Sequence, residues 1–231
     1  MHLIKRILLT TVLAVLVFVL LLQAWFAVHI LAYRHTHPDS TAFMRQRLAL
    51  ARETKPQANF HYHWVEEEAI SRHLKRALIA AEDSAFVDHE GFDWDGIERA
   101  LEKNREKGRH VAGGSTITQQ LAKNLFLSPS KTYVRKGQEA LITLMLETFL
   151  DKERILTLYL NVIEWGDGIY GAEAAAQHYF KQSARQLSVA QAAKLAAMVP
   201  NPRFYQKNLQ APGLARKTQI IIRRMGQVEL P

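Results

Sequence analysis

Between Arg6 and Arg34 the chain carries no Asp, Glu, Lys or Arg. That uncharged run, residues 7–33, is dense in Leu and Val and closes with Trp25, Phe26 and Tyr33. As one helix it would be about 40 Å long, more than the roughly 30 Å of a bilayer's hydrocarbon core. Its Trp and Tyr stand where an interfacial aromatic belt would. A cleaved signal peptide is the competing reading, but its apolar region covers about 7–15 residues and leads to an Ala-x-Ala-like site. This run is longer and no such site follows it. It is read as an uncleaved, single-pass anchor, with Lys5, Arg6 and the terminal amine keeping the N-terminus in the cytoplasm.

The rest of the 231 residues is enough for one good-sized domain. Lys5 and Arg6 account for only two of the formal +8, so the basic surplus belongs mainly to the soluble part and calls for an anionic partner. No stacking-platform or groove-reading pattern points to nucleic acid. The absence of Cys excludes disulfides and Cys-ligated metals. No repeat, βαβ alternation or low-complexity segment interrupts the soluble part, and apolar residues recur near a 3.6 period, so the fold class is all-α or mainly α.

The division read from these signals is residues 1–6 cytoplasmic, 7–33 anchor, 34–59 juxtamembrane linker and helix, and 60–231 domain. Asp39 or Ser40 caps a helix to about Arg52. Phe43, Leu48 and Leu50 on it are candidates for a second membrane-facing patch. Residues 60–65 alternate aromatics with His and predict a short strand. His61 and His63 have no third ligand nearby in sequence and are read as packing, not a metal site. Further helices are predicted over residues 66–81, from Asp93 through Leu101, from the Gly113-Gly114-Ser115-Thr116 loop to Leu125, and over residues 133–150 with Leu141, Leu144, Met145 and Phe149 inward. The remaining helices fall over residues 152–162, 172–180, 188–198 and 212–228, with a turn-rich connection at Gly166, Gly168 and Gly171.

Polar residues concentrate in four stretches. The apolar helix ending at Ala81 delivers Glu82 and Asp83 into a segment with Phe86, His89, Gly91 and Asp93. A carboxylate at the end of an apolar run is easily desolvated, which tunes it for proton transfer, although alone it reads as a solvated helix end. Gly113-Gly114-Ser115-Thr116 opens a helix whose free N–H groups attract anions, and Gln120, Lys123 and Asn124 follow at helical spacing. The same residues also describe an ordinary Ser/Thr-capped helix. Lys136 and Glu139 share one helix face, which elsewhere is a surface ion pair. Trp165 and Tyr170 among glycines line a groove or fill a corner.

Together these stretches resemble the peptidoglycan glycosyltransferases, the lysozyme-like enzymes that polymerise lipid II outside the bacterial cytoplasmic membrane. Glu82-Asp83-x-x-Phe86-x-x-His89-x-Gly91 looks like the family's first motif. Gly113-Gly114-Ser115-Thr116-Ile117-Thr118-Gln119-Gln120-Leu121-Ala122-Lys123-Asn124 matches the second almost letter for letter. Arg135-Lys136-x-x-Glu139 is similar to the third, and Lys152-x-x-Ile155-Leu156-x-x-Tyr159-Leu160-Asn161 to the fourth. Leu187-Ser188 through Ala197, with Pro200-Asn201-Pro202, is similar to the fifth. The residues after Asn161 resemble the monofunctional proteobacterial members. Thr157 and Gln191 stand where many members carry Glu, which is expected to alter local ion pairing and not chemistry. Ser128-Pro129-Ser130-Lys131 fits the Ser-x-x-Lys of a transpeptidase, but no Lys-Thr-Gly follows and it is read as a loop.

The resemblance implies a lysozyme-like domain behind one transmembrane helix, in the inner membrane, with the catalytic domain in the periplasm. It implies inverting transfer of the growing chain from undecaprenyl pyrophosphate to the 4-hydroxyl of an incoming lipid II. Glu82 is then the general base, supported by Asp83. Glu139 is the second working carboxylate, handling the pyrophosphate with Arg135 and Lys136. Ser115, Thr116, Gln119, Gln120, Lys123, Asn124 and Asn161 complete the substrate-binding set. No cofactor is required; a divalent cation, Mg or Mn, is a candidate near Glu139. The implied partners are lipid II, the nascent glycan strand, membrane lipids, and cell-division or elongation proteins. A lysozyme-like hydrolase or lytic transglycosylase, which also works with a Glu, and a non-enzymatic membrane-anchored scaffold are the rival readings.

Overall fold

A computed structural model describes residues 2–109, 113–128, 130 and 132–231. Pro129 and Lys131 of the Ser-x-x-Lys tetrapeptide lie outside the described residues.

The apolar run forms one long helix, α1 (His2–Ala32). Its surroundings divide it in two. Residues 2–21 are exposed throughout, a length of about 30 Å that fits one crossing of a bilayer core. Beyond them Phe26 and Ile30 are buried in the domain, where lipid-soluble side chains serve equally well as core. Trp25 and Phe26 meet the ring of Phe126 edge-on, at 6.0 and 5.3 Å. Arg154 Nε donates to the Tyr33 carbonyl at 2.7 Å, which closes the junction. The last turns of the helix are therefore part of the packed domain.

The soluble part is built from short helices around one core. The second helix, α2 (Ala42–Thr54), is capped by Thr41, whose Oγ1 accepts from the Met44 N–H at 3.1 Å. That corrects the expected cap at Asp39 or Ser40. Phe43 is buried on this helix, so it belongs to the core and not to a membrane-facing patch, while Leu50 is exposed. The helix expected over residues 66–81 is broken. A 3₁₀ turn at Glu67–Ala69 precedes α3 (Arg72–Glu82). Ser71 makes the break: its hydroxyl caps α3, accepting from the His73 N–H, and donates to the Leu187 carbonyl, while its N–H donates to Ala184.

After α3 come α4 (Trp94–Glu106), α5 (Ile117–Phe126), α6 (Tyr133–Phe149) and α7 (Lys152–Val162), then α8 (Ala172–Phe180), α9 (Val189–Met198), α10 (Pro202–Lys207) and α11 (Pro212–Arg224). The glycine-rich connection after α7 holds two short strands, β2 (Glu164–Gly166) and β3 (Ile169–Tyr170); β3 pairs in parallel with β1 (His61–Tyr62) and antiparallel with β2. Gly171 is required there. Its φ is +85°, and a Cβ would sit 2.5 Å from the Asn161 carbonyl oxygen. His61 and His63 are exposed, not packed, and they face a surface cavity of about 450 Å³ with His178. Among the described residues no group of three His, Cys, Asp or Glu could hold a metal ion.

The small side chains decide how closely the helices approach. Ala77 on α3 and Ala192, Ala193, Ala196 and Ala197 on α9 are buried, and α3, α9 and α11 pack together. Gln191 and Thr157 stand at the two positions where a Glu is expected. Gln191 completes a capping box with Ser188, as a Glu would. Thr157 is buried, and nearby Lys75 pairs with Glu67.

One helix face is only half as expected: Met145 and Phe149 pack against the core, but Leu141 and Leu144 do not. On α6 the buried residues are Glu139, Ile142, Thr143 and Leu146, whereas Leu141 and Leu144 are 46% and 50% exposed. Hydropathy alone pointed Leu141 and Leu144 inward; the helix instead turns its polar Glu139 and Thr143 toward the interior. Leu141 and Leu144 join exposed Tyr133 and Val134 on a helix that packs beside α1.

Candidate active site

Glu82 is the last residue of α3, and Asp83 leaves the helix with φ −160°. The two adjacent carboxylates therefore diverge. Asp83 is buried. Its Oδ1 accepts from His89 Nε2 at 2.9 Å and its Oδ2 from the Ile117 N–H at the start of α5, also at 2.9 Å. The His89 tautomer follows, because Nδ1 accepts from the Gly91 N–H at 3.1 Å. Asp83 thus ties the loop after α3 to the positive end of α5, a charge-to-helix contact that holds Glu82 in place.

That loop is fastened from three more directions. Thr116 Oγ1 donates to the Gly91 carbonyl at 2.7 Å. Gly91 has φ +87°, and a Cβ there would lie 2.7 Å from Thr143. Lys152 Nζ reaches the His89 carbonyl and also Glu147, which in turn accepts from the Thr118 hydroxyl at 2.6 Å. Lys152 sits 4.6 Å from the centre of the buried Phe86 ring. The first, second and fourth motifs are thereby one hydrogen-bonded unit.

Glu82 itself is partly buried. Its Oε2 accepts from Gln120 Nε2 at 2.9 Å, and the Gln120 Oε1 accepts from the buried Tyr159 hydroxyl at 2.7 Å. Burial raises the Tyr159 pKa well above its ordinary value, so Tyr159 stays a donor and fixes the amide orientation. Burial also raises the Glu82 pKa; the Gln120 hydrogen bond and the charges of Lys217 and Lys123 oppose that shift without cancelling it. The result is a carboxylate more basic than an exposed one, held by one oxygen.

Two cavities meet at Glu82. One of about 460 Å³ is lined by Ser115, Gln120, Lys217 and Arg224 among others. A second of about 210 Å³ is lined by Asp83, Asp93, Arg99, Ser115 and Arg224. Lys217 and Arg224 were missed from the sequence. A signal was available: Lys217, Ile220, Ile221 and Arg224 fall on one face of α11.

The third motif forms its own cluster. Glu139 is 4% exposed; Arg135 binds its Oε2 and Lys136 its Oε1. The Lys136 side chain is 48% exposed, so its remaining donors face outward. Arg135 Nε is buried with no hydrogen-bond partner among the described residues. Lys123 links this cluster to Glu82. Burial lowers its pKa, with Glu139 and Glu82 pulling it up and Arg135 and Lys136 pushing it down. Both Glu139 oxygens face cations, and among the described residues no group of three His, Cys, Asp or Glu could hold a metal ion by itself.

Other expected site residues make hydrogen bonds within the protein. Thr116 and Gln119 are buried and cap α5 reciprocally, the Thr116 N–H donating to Gln119 Oε1 at 3.1 Å and the Gln119 N–H to Thr116 Oγ1 at 3.2 Å. At this helix start the N–H groups of Ile117 and Gln119 are therefore occupied, by Asp83 and Thr116. Asn124 Nδ2 donates back to the Gln120 carbonyl at 2.8 Å. Asn161 is fully buried and far from an open ligand role: it binds the Val65 N–H and carbonyl and the Thr157 carbonyl. Ser115 alone of the hydroxyl group is exposed at the cavity.

A model of the transglycosylase family matches residues 49–226. The chain is 59% identical over 227 residues to a biosynthetic peptidoglycan transglycosylase of Chromobacterium violaceum, covering 98% of this chain and all of that protein. A protein of the same description from Herminiimonas arsenicoxydans is 55% identical over the full length of both chains. One from Dechloromonas aromatica is 59% identical over 209 residues, 90% of each chain.

Proposed function

This chain belongs to the transglycosylase family, and on that premise we propose that it polymerises lipid II into linear glycan strands of peptidoglycan. The observation that carries the reading is a partly buried, raised-pKa carboxylate that feels the charges of Lys123 and Lys217, with Arg135 and Lys136 beside Lys123 and Arg224 lining the same cavity as Lys217. Two pyrophosphate-bearing substrates call for such cations; hydrolysis of a glycan without pyrophosphate does not.

In this reading the 4-hydroxyl of the incoming lipid II attacks the anomeric carbon of the growing chain. The new C–O bond forms as the bond to the pyrophosphate oxygen breaks, with inversion. The hydroxyl proton passes to Glu82, and the leaving pyrophosphate gathers charge beside Lys123, Arg135 and Lys136. Glu139 orients two of those cations. The exposed length of α1 crosses the inner membrane, which raises the effective concentration of two membrane-held substrates.

The purified full chain, incubated with lipid II, is expected to extend glycan, and to continue when a chelator is added because Lys and Arg offset the pyrophosphate charge. Soluble fragments from polymeric glycan, without polymer growth, would establish the hydrolase reading instead. Gln120→Leu gives a finer check. The Gln120 amide stabilises ionised Glu82, so its loss raises the Glu82 pKa further and moves the acid limb of kcat/KM to higher pH. An unmoved limb would separate that limb from Glu82.

A further inference from the structure

Gln23 is an amide in the middle of Leu20, Leu21, Leu22, Ala24 and Trp25. It is paired with Gln138 on α6: Gln23 Nε2 donates to Gln138 Oε1 at 3.0 Å, and Gln138 Nε2 donates to Gln23 Oε1 at 2.9 Å. We propose that this reciprocal pair sets the depth at which the Arg135–Lys136–Glu139 cluster meets the bilayer, and is thus a positioning contact for a membrane-held pyrophosphate; the proposal rests on the function given above.

Three observations lead there. The unbroken exposed run of α1 ends at residue 21, and beyond it buried Phe26 and Ile30 share the helix with exposed Trp25 and Val28. Gln23 therefore lies where the helix passes from lipid onto the domain, a place where an unpaired amide is costly and a paired one holds two helices together. Gln138 adjoins Glu139 and follows Arg135 by three positions, so the pair grips the turn that carries the cations. The same helix starts with Tyr133 and Val134, 98% and 85% exposed. Apolar side chains that open, beside a membrane-spanning helix, have lipid as their natural surrounding. The rest of α1 is held independently through Phe26, Ile30 and Phe126. Losing the amide pair therefore frees α6 from the anchor without undocking the anchor.

The test uses the full chain in vesicles of bacterial phospholipid. Gln23→Leu and Gln138→Leu are each expected to raise KM for lipid II by about fivefold, the scale of one interhelical contact in a membrane, with kcat unchanged. The double variant should match the singles, since both remove one interaction. A water-soluble, short-prenyl donor should show no difference between parent and variants. The chain has no Cys, so a spin label at Val134→Cys reads depth directly. In the parent it should be more accessible to oxygen than to a water-soluble nickel chelate, and in either Leu variant that ratio should fall. A water-exposed label in the parent, an unchanged ratio in the variants, additive losses, or equal losses with the soluble donor would each overturn the proposal. If the parent does not polymerise lipid II, the function reading fails, while the depth measurement still decides the role of the pair.

Discussion

Glu82→Gln is expected to lower glycan polymerisation by about a thousandfold, the middle of the range for loss of a general base. The replacement keeps the shape and an acceptor oxygen for Gln120, so donor binding should change little. The same variant carries a signature in stability. Burial raises the Glu82 pKa in the folded state, so the native protein binds more protons than the unfolded chain above the unfolded value of about 4.3. Stability therefore falls as pH rises from there through the raised native value, and the cost is fully present above it. Glu82→Gln removes that cost. The variant should melt higher than the parent at pH 7, and the difference should close below about pH 4. Near-normal glycan synthesis would remove Glu82 from the mechanism. A melting difference that persists at low pH would mean that the burial effect is not the reason for the stabilisation.

Arg135→Ala should abolish most activity and cost about 3–5 kcal/mol of stability, because it leaves a buried Glu139 with only one of its two cations. Activity and stability can be separated in the double variant Arg135→Ala with Glu139→Gln. No charge is then left buried and uncompensated, so urea unfolding should recover toward the parent. Binding of an undecaprenyl pyrophosphate donor should stay weak, since the cation that meets it is still missing. If the double variant recovers both, Arg135 serves the fold alone, and the pyrophosphate must be met by Lys123 and Lys136.

The helices were legible where local signals were strong. Asp93 caps α4 as read, its Oδ1 accepting from the Gly96 N–H at 2.7 Å, and α8 and α9 fall within a residue of their predicted spans. The Ser71 break was not legible, because its partners Ala184 and Leu187 are more than a hundred residues away. The face of α6 was misread for a related reason. Thr143 points inward where distant Gly91 leaves room for it, and Glu139 beside it is covered by Arg135 and Lys136 of its own helix.

The sequence by itself determined that one apolar helix is long enough to cross a bilayer, that the soluble part is helical, and that Glu82, Lys123 and the Arg135–Glu139 turn belong to one family pattern. The first two are statements about composition and period; the third is a resemblance to a known family's motifs. Only the tertiary structure decided which polar atoms remain open. Thr116, Gln119, Asn124 and Asn161 sit in the same motifs as Glu82, yet their hydrogen bonds close within the protein. Lys217 and Arg224, outside every motif quoted, open onto the Glu82 cavity. A buried polar group must find a partner, and whether that partner is the fold or a substrate depends on which distant segment is brought beside it.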